Sequence, residues 1–206
     1  MGRHTRHSRA AAGSSWIRLR ALLAGGLVLG VGGTLTLAAW TDQEVVQATF
    51  KAGTFDIIGS TDGTNFTSHP TGSGATLTFV PTAGAMLPGQ TVYAPFSVKT
   101  APGSTGGLLT PIASGTNNTG LGAYLTYQVS RVATPANCTA AGITGGTVVV
   151  PAGSSPTVSG SEQFAVAGAG TQTITYCFAI TLPSTAPNAA QGTTLNAVWG
   201  ISGTTG

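Results

Sequence analysis

The chain has 206 residues, of which 41% are hydrophobic, only 6% are charged and 31 are glycines, whereas an ordinary soluble domain is about 25% charged. This composition favours a β-rich extracellular protein over a cytosolic one. The formal net charge is +3, but residues 39–206 contain three basic residues against five acidic ones, a charge of −2, so the basic excess does not indicate a nucleic-acid partner.

The first 38 residues have the three-part layout of a secretory signal. Arginines mark residues 1–20, and an apolar run extends over residues 21–37. A signal peptidase requires small side chains one and three positions before the cut, because the extended substrate presses them into narrow pockets, and Ala38 and Thr36 meet this requirement. We therefore predict a helical signal peptide that is cleaved between Ala38 and Ala39.

The alternative to removal of residues 1–38 is a retained membrane anchor. Residues 21–40 are about long enough to cross a bilayer. The helix and its hydrophobicity are weakened by five glycines, Gly25, Gly26, Gly30, Gly32 and Gly33. We therefore favour cleavage and an extracellular or cell-wall location, with membrane contact only through the uncleaved leader. The signal peptidase is the first expected partner.

Both cysteines, Cys138 and Cys177, lie in the exported part of the chain. In an oxidising compartment an even pair is more often a disulfide than two free thiols or a metal site, so we predict that they are bonded. Closing a loop of about 40 residues stabilises a fold by roughly 3 to 4 kcal/mol in the chain-entropy model. That is a large share of the net stability of one domain.

Residues 39–206 are long enough for a single secreted domain with a substantial core. No amphipathic helical period follows the leader, and Gly, Pro, Ser, Thr and Asn clusters separate short segments of β-branched and aromatic residues. This pattern predicts an all-β fold, a jelly-roll-like antiparallel β-sandwich. The predicted strands, in chain order, are residues 48–58, 76–80, 91–99, 107–114, 123–132, 147–150, 163–167, 171–182 and 193–202.

The strand predicted over residues 171–182 alternates cleanly, with large apolar side chains on one face and Cys177 on the other. The disulfide is therefore expected to hold the loop that carries Cys138 across the outside of a sheet. In an earlier strand, Pro95 removes a backbone donor, which indicates an edge position.

Three pieces of the opening stretch resemble the amino-terminal signature of the TasA and camelysin family: Gly32-Gly33-Thr34, Ala38-Ala39-Trp40-Thr41-Asp42 and the run from Ala48 to Ile57. Leu87-Pro88-Gly89-Gln90, followed by a strand through Phe96, resembles the turn-and-strand signature of the same family. The resemblance implies a jelly roll, processing by a SipW-type signal peptidase at the predicted bond, and a secreted protein of the cell surface or biofilm matrix.

The resemblance also implies self-association. Founding members of the family assemble into fibres by donating an extended amino-terminal segment to the sheet of the next subunit. In such β-augmentation a strand is added to an exposed sheet edge, and alternate side chains fill pockets. The donated segment here would be residues 39–50, with Trp40, Val45, Val46 and Phe50 as its apolar side chains.

No constellation for catalysis is found in the sequence of residues 39–206. A helical zinc protease needs two histidines one turn apart and a glutamate base, but this stretch has only His69, which we expect to be solvated in a loop. Asp62 lies in a Thr-Asp-Gly-Thr-Asn sequence that we interpret as a solvated turn, with a calcium site as the alternative. We therefore predict a non-enzymatic protein without metal or cofactor. A camelysin-like protease is the least favoured function.

Aromatic side chains offer an alternative function, that of a surface adhesin or glycan-binding module. A sugar-stacking platform competes with core packing for these residues. Tyr93 and Tyr124 fall on strand faces expected to be turned outward, so they are the candidate binding surface. The remaining aromatic residues in question are predicted to face the core, namely Tyr127, Tyr176, Phe178 and Trp199.

Overall fold

The structure is a computed structural model that describes residues 14–35, 43–161 and 163–205. The predicted cleavage bond after Ala38 and the side chain of Trp40 lie outside the described residues. Within the three described segments, no helix is both long and apolar enough to cross a membrane.

The first compact unit of the chain, Met1–Phe50, contains the helix α1, which spans Ser14–Leu35. The apolar side chains of α1 are exposed, as Leu22 and Leu27 illustrate. Residues 43–50 belong to no helix or strand. The segment that we predicted to be donated is therefore free of intrachain sheet pairing over its described part.

The second compact unit, Lys51–Gly206, is built around two antiparallel sheets. Its described strands are β1 (Ile57–Ser60), β2 (Thr91–Thr100), β3 (Gly107–Ser114), β4 (Thr126–Val132), β5 (Thr147–Ser154), β6 (Phe164–Val166), β7 (Ile174–Thr181) and β8 (Val198–Thr204). The larger sheet has the order β1-β2-β7-β4-β5, and the smaller one has the order β6-β3-β8. A short helix, α2, spans Ala140–Gly145. The predicted all-β, sandwich-like fold is confirmed.

The main core combines side chains from both sheets. Tyr176 and Phe178 alternate along β7 and are at most 3% exposed. Trp199, from β8 in the smaller sheet, packs on Phe178 and Tyr127 of the larger sheet, with ring centroids 5.6 and 5.8 Å apart. The predicted inward orientation of these four aromatic side chains is confirmed.

The strand predicted over residues 48–58 is wrong for most of its length, because β1 begins only at its end. Backbone groups before β1 are used in a loop contact. The carbonyl of Thr54 accepts a hydrogen bond from the Thr105 N–H at 2.9 Å. The Asp56 N–H donates to the Ser104 Oγ at 3.1 Å. A side-chain acceptor thus replaces the strand partner that the alternating pattern suggested.

Several other strands also differ from the prediction. β8 spans Val198–Thr204 and not residues 193–202, because the Thr194 carbonyl accepts a hydrogen bond from the Leu121 N–H in a loop contact. Residues 76–80 form no strand, and Val80 makes only an isolated bridge to Tyr93. β5 continues through Pro151, where we predicted its end. It does so because β5 is the outermost strand and its register with β4 shifts, so the missing N–H of the proline is tolerated.

The loop predicted to carry Cys138 contains a short helix that the sequence pattern did not show. The Thr139 Oγ1 accepts a hydrogen bond from the Gly142 N–H at 3.1 Å and caps the start of α2. Six residues are too few for a helical period to emerge from the sequence.

Pro95 lies in β2, which is not an edge strand as predicted, because β1 and β7 flank it. However, β1 pairs only with residues 97–100. Pro95 therefore has a ladder partner only on the β7 side, where it lies opposite Cys177. Its missing N–H breaks no bond to β1.

Candidate functional site

The predicted disulfide is present, since Cys138 and Cys177 are bonded with Cα atoms 5.1 Å apart. Cys177 lies in β7 on the face away from the main core, together with Ala179, and Ile143 of α2 packs against both. Residues 135–145, which we name the cover, are thereby fastened to the outer face of the larger sheet. The predicted position of the disulfide, outside the core, is confirmed.

A groove of about 260 Å³ lies between the cover and the exposed part of this outer face. We name it the outer groove. Its walls come from α2 and from residues 152–153 of β5, and none of its lining residues is charged. Its polar lining includes Thr91, Tyr93, Thr126, Gln128, Thr144 and Thr181, and the buried Tyr127 also borders it.

Strand pairing arranges the groove floor in rows. Thr181 of β7 lies opposite Thr91 on one side and opposite Thr126 on the other, so three threonines cross three strands in register. The Oγ1 atoms of Thr91 and Thr181 are hydrogen-bonded at 2.8 Å. The next row on the same face of the sheet lies one step closer to Cys177. In this row Tyr93 of β2 and Gln128 of β4 lie on either side of Ala179 of β7. Ala179 itself is buried under Ile143 of the cover, and Tyr93 packs against the same cluster.

The chemistry of the outer groove is that of hydroxyl and amide recognition beside one aromatic ring. Threonine hydroxyls both donate and accept, and the Gln128 side chain offers one carbonyl and two N–H donors. Without a charged side chain in its lining, the groove offers no ion-pair partner for an anion or a cation. It is chemically suited to a neutral ligand rich in hydroxyl groups.

Of the two tyrosines predicted to form a binding surface, only Tyr93 lies in the outer groove. Tyr124 packs instead against the main core, so its predicted outward orientation is wrong. It follows a 3-10 turn over Gly120–Ala123 and has a helical backbone, with φ −112° and ψ −8°, so it does not take part in the alternation of β4. The two side chains are not brought together.

The core tyrosines are enclosed and do not form a sugar platform. Tyr127 is 2% exposed and its hydroxyl donates a hydrogen bond to the Val158 carbonyl. Burial raises the pKa of Tyr127 to about 12. Burial likewise raises the pKa of Tyr176, against a smaller opposing effect of Arg131. Both phenols are therefore neutral at physiological pH.

Asp62 serves the turn in which it lies. Its Oδ1 accepts hydrogen bonds from the N–H groups of Asn65 and Thr64, both at 2.8 Å, and from the Ser60 hydroxyl at 2.7 Å. The Asn65 amide donates to its Oδ2 at 2.6 Å. The Asn65 N–H, followed by the Ser60 hydroxyl and the Thr64 N–H, holds the pKa of Asp62 well below its usual range. The carboxylate oxygens are thus already engaged by donors of the turn.

His69 is half-buried against the ring of Phe96, at a centroid distance of 6.1 Å. Its Nε2 lies 3.2 Å from the Thr67 Oγ1, and its Nδ1 is buried without a hydrogen-bond partner. The expectation of a solvated histidine is therefore wrong, because the loop folds back onto β2. In the described part of the chain, no group of three or more His, Cys, Asp or Glu side chains is placed to hold a metal ion.

The second candidate region is the segment of residues 43–50, which we name the donor segment. Its apolar side chains are almost fully accessible: Val45 is 79%, Val46 91% and Phe50 93% exposed. Large side chains of this kind are normally at least partly buried in a folded protein. Their joint exposure in one short stretch makes the donor segment a candidate interaction element.

The sequence analysis named Tyr93 and residues 39–50 as candidates but did not include the threonine row. Thr126 and Gln128 alternate with the apolar residues Leu125, Tyr127 and Val129, which is a partial signal. Thr91 and Thr181 join them only through the register of three strands, and residues 90 positions apart then share a hydrogen bond. That register is not contained in the pattern of any single strand.

No protein-family model matches the chain. A search of curated proteins likewise finds no significant match.

Proposed function

We propose that this chain is a secreted, non-enzymatic structural protein of the cell surface or biofilm matrix. It self-associates by donating an amino-terminal strand within residues 39–50 to the sheet of a neighbouring copy. The observation that carries the proposal is the exposure of Val45, Val46 and Phe50 in a segment without sheet pairing. Burying one such side chain contributes roughly 1.5 to 3 kcal/mol, so a neighbour that covers Val46 and Phe50, which share one face of an extended strand, gains a substantial free energy.

Several features support export of the assembling domain. Residues 1–38 have the layout of a signal peptide, and a disulfide between Cys138 and Cys177 is compatible with an oxidising compartment. In this proposal a SipW-like peptidase cuts after Ala38, and the sandwich is a jelly roll. The resemblance of residues 25–58 to the TasA and camelysin family supports the same function.

The proposal is tested by comparing two purified forms, residues 39–206 and a form that starts at Ala52. We expect the longer form to produce fibres in electron micrographs and the shorter form to stay monomeric in analytical ultracentrifugation. Persistent monomers of the longer form at high concentration would contradict self-association.

A matched pair of charge substitutions locates the activity within the donor segment. Val46→Glu places a charge on an apolar, exposed position, so it should prevent fibre formation because a buried carboxylate without a partner opposes association. Gln47→Glu adds the same charge on the opposite side of an extended strand and should leave fibre formation nearly unchanged. Equal loss in both variants would indicate a general charge effect instead.

A second candidate function, glycan binding, is favoured by the outer groove. The hydroxyl row of Thr91, Thr126 and Thr181 lies next to the half-exposed ring of Tyr93, and neutral sugars present hydroxyl groups together with apolar ring faces. Such a ligand needs an aromatic ring as an apolar contact and several hydroxyl groups as hydrogen-bond partners.

A glycan array with the purified domain tests the second function. We expect Tyr93→Ala to reduce binding about two- to twelvefold, since roughly 0.5 to 1.5 kcal/mol is lost with an aromatic contact. Tyr124→Ala is the matched control, because Tyr124 lies outside the groove, and thermal melts show whether each variant is folded. Absence of any binding by the unsubstituted domain would remove this function.

A further inference from the structure

The sheet edges of the second compact unit are not equally protected. β6 has only three residues, and β1 has four and is bridged at Gly59 by Thr67. β5 contains Pro151 and shifts its register against β4. Short length, proline and register shifts are the means by which natural sheets avoid edge-to-edge pairing. Three of the four edges therefore carry such protection.

β8 carries none of these protections. It pairs with β3 over seven consecutive positions without a register shift, and β3 is its one strand partner among the described residues. Its sequence, VWGISGT, contains no proline and no charged residue. The outward side chain of Val198 is 53% exposed. One edge of β8 thus offers a continuous row of backbone groups to another strand.

The core is also incomplete beside β8. Trp199 and Ile201 pack against the main core but stay half-buried, whereas Tyr176 and Phe178 of β7 are almost fully enclosed. The smaller sheet has three strands and the larger one has five. A further strand next to β8 would cover the side chains that β8 turns inward.

The donor segment matches this edge in length and pattern. Its eight residues span about 27 Å when extended, and the seven residues of β8 span about 24 Å. In an extended strand Val46, Ala48 and Phe50 share one face, with Glu44 at its beginning, and the opposite face carries Gln43, Gln47 and Thr49 beside Val45. From Val46 onward, the first face is thus suited to the half-covered core, and the other to solvent.

We propose that the free edge of β8 is the acceptor for residues 43–50 of a neighbouring copy, so that the smaller sheet gains a fourth strand at every junction. This inference rests on the proposed self-association and specifies where on the partner it takes place. The partner is a second copy of this chain, and the recognised element is an extended, uncharged edge strand.

The inference is tested with residues 39–206 by hydrogen–deuterium exchange before and after assembly. We expect new amide protection in residues 43–50 and 198–204, and no change in residues 147–154 of the protected edge β5. Fibres whose new protection lies at β1, β5 or β6 would overturn the acceptor assignment and leave the proposed function standing. Closed dimers protected at β8 but not in the donor segment would also overturn it.

Charge substitutions at two edges provide an independent measurement. Val198→Lys and Ser202→Lys are at exposed positions of β8, and each should raise the concentration needed for assembly by about tenfold or more, because edge lysines oppose strand pairing. Val148→Lys in β5 is the matched control at a 47% exposed position and should have less than about a twofold effect. Equal effects at both edges would contradict the assignment, and failure of every form to assemble would overturn the proposed function with it.

Discussion

At the scale of single residues, the structure separates side chains that look alike in the sequence. Tyr93 lies in the outer groove, Tyr124 lies against the main core, and Tyr127 is enclosed with its hydroxyl bonded to a carbonyl. Their positions depend on which strand face each residue occupies and on the 3-10 turn before β4. The same aromatic residue type thus lies once in a surface groove and twice against the core.

The enclosed phenol of Tyr127 makes stability depend on alkaline pH. Its pKa is raised to about 12, whereas the phenol of an unfolded chain titrates near 10. The contribution is therefore fully present below pH 10 and is lost as the pH rises from about 10 to about 12. We expect the free energy of unfolding to fall by about 1 to 3 kcal/mol over that window, since one pKa unit corresponds to about 1.4 kcal/mol.

Urea unfolding at pH 8, 10 and 11 measures this effect. Tyr127→Phe keeps the ring that packs on Trp199 and removes the titrating hydroxyl, so its stability should decline less steeply above pH 10. The variant should lose about 0.5 to 1.5 kcal/mol at pH 8 because the hydrogen bond to Val158 is gone. Identical slopes in both proteins would exclude Tyr127 as the source, leaving Tyr176 as the other buried phenol.

At the scale of elements, the cover depends on a covalent bond more than on its own packing. It consists of a single helix of six residues and a 3-10 turn over Pro135–Asn137. Its apolar contact with the sheet is a small cluster around Ile143, Cys177 and Ala179. A helix this short is not stable alone in water. The disulfide is therefore the main attachment of the wall that closes the outer groove.

Removal of the disulfide should affect the cover before the sheets. For the double variant Cys138→Ala and Cys177→Ala, we expect the free energy of unfolding to fall by about 3 to 4 kcal/mol, because the bond closes a loop of 39 positions. Hydrogen exchange should become faster in residues 135–145, while β2 and β7 stay protected. Uniformly faster exchange in all elements would instead show that the bond stabilises the whole domain equally.

The elements also show how far local patterns extend. β3 was predicted with its observed bounds, and the alternation of β7 correctly placed Cys177 outside the core. The strand over residues 48–58 was not found, because Ser104 and Thr105 satisfy backbone groups of that stretch from a distant loop. α2 was not predicted, because a helix of six residues with a threonine cap is too short to show a helical hydrophobic period. Clear alternation of apolar and polar residues therefore predicted strands correctly. Segments whose backbone hydrogen bonds come from distant loops were not predicted correctly.

At the scale of the whole molecule, the fold class followed from composition, but the candidate site did not. Turn residues between short β-branched segments were sufficient to predict antiparallel sheets. The threonine row of the outer groove depends on β7 lying between β2 and β4, and the free edge depends on β8 being outermost. Both are properties of strand order. Strand order is set by long-range pairing, which a single sequence read locally does not contain.

The low charge of residues 39–206 has a further effect at this scale. Residues 39–206 carry a net charge of −2 and few ionised side chains. A small net charge gives little mutual repulsion between copies. Contact between molecules is then governed by apolar burial and backbone hydrogen bonds, which are the contributions that strand addition supplies.

The order of β8 along the chain has a consequence for timing. Every other described strand precedes β8, whereas the donor segment precedes all of them. During export from the amino terminus, the donor segment would emerge first, and the proposed acceptor would be completed only when nearly the whole chain had crossed. A partly exported molecule would then have its donor segment available before its own β8 is complete. In the proposed assembly it would add to β8 of a fully exported neighbour, and no further copy would add to it until its β8 had formed.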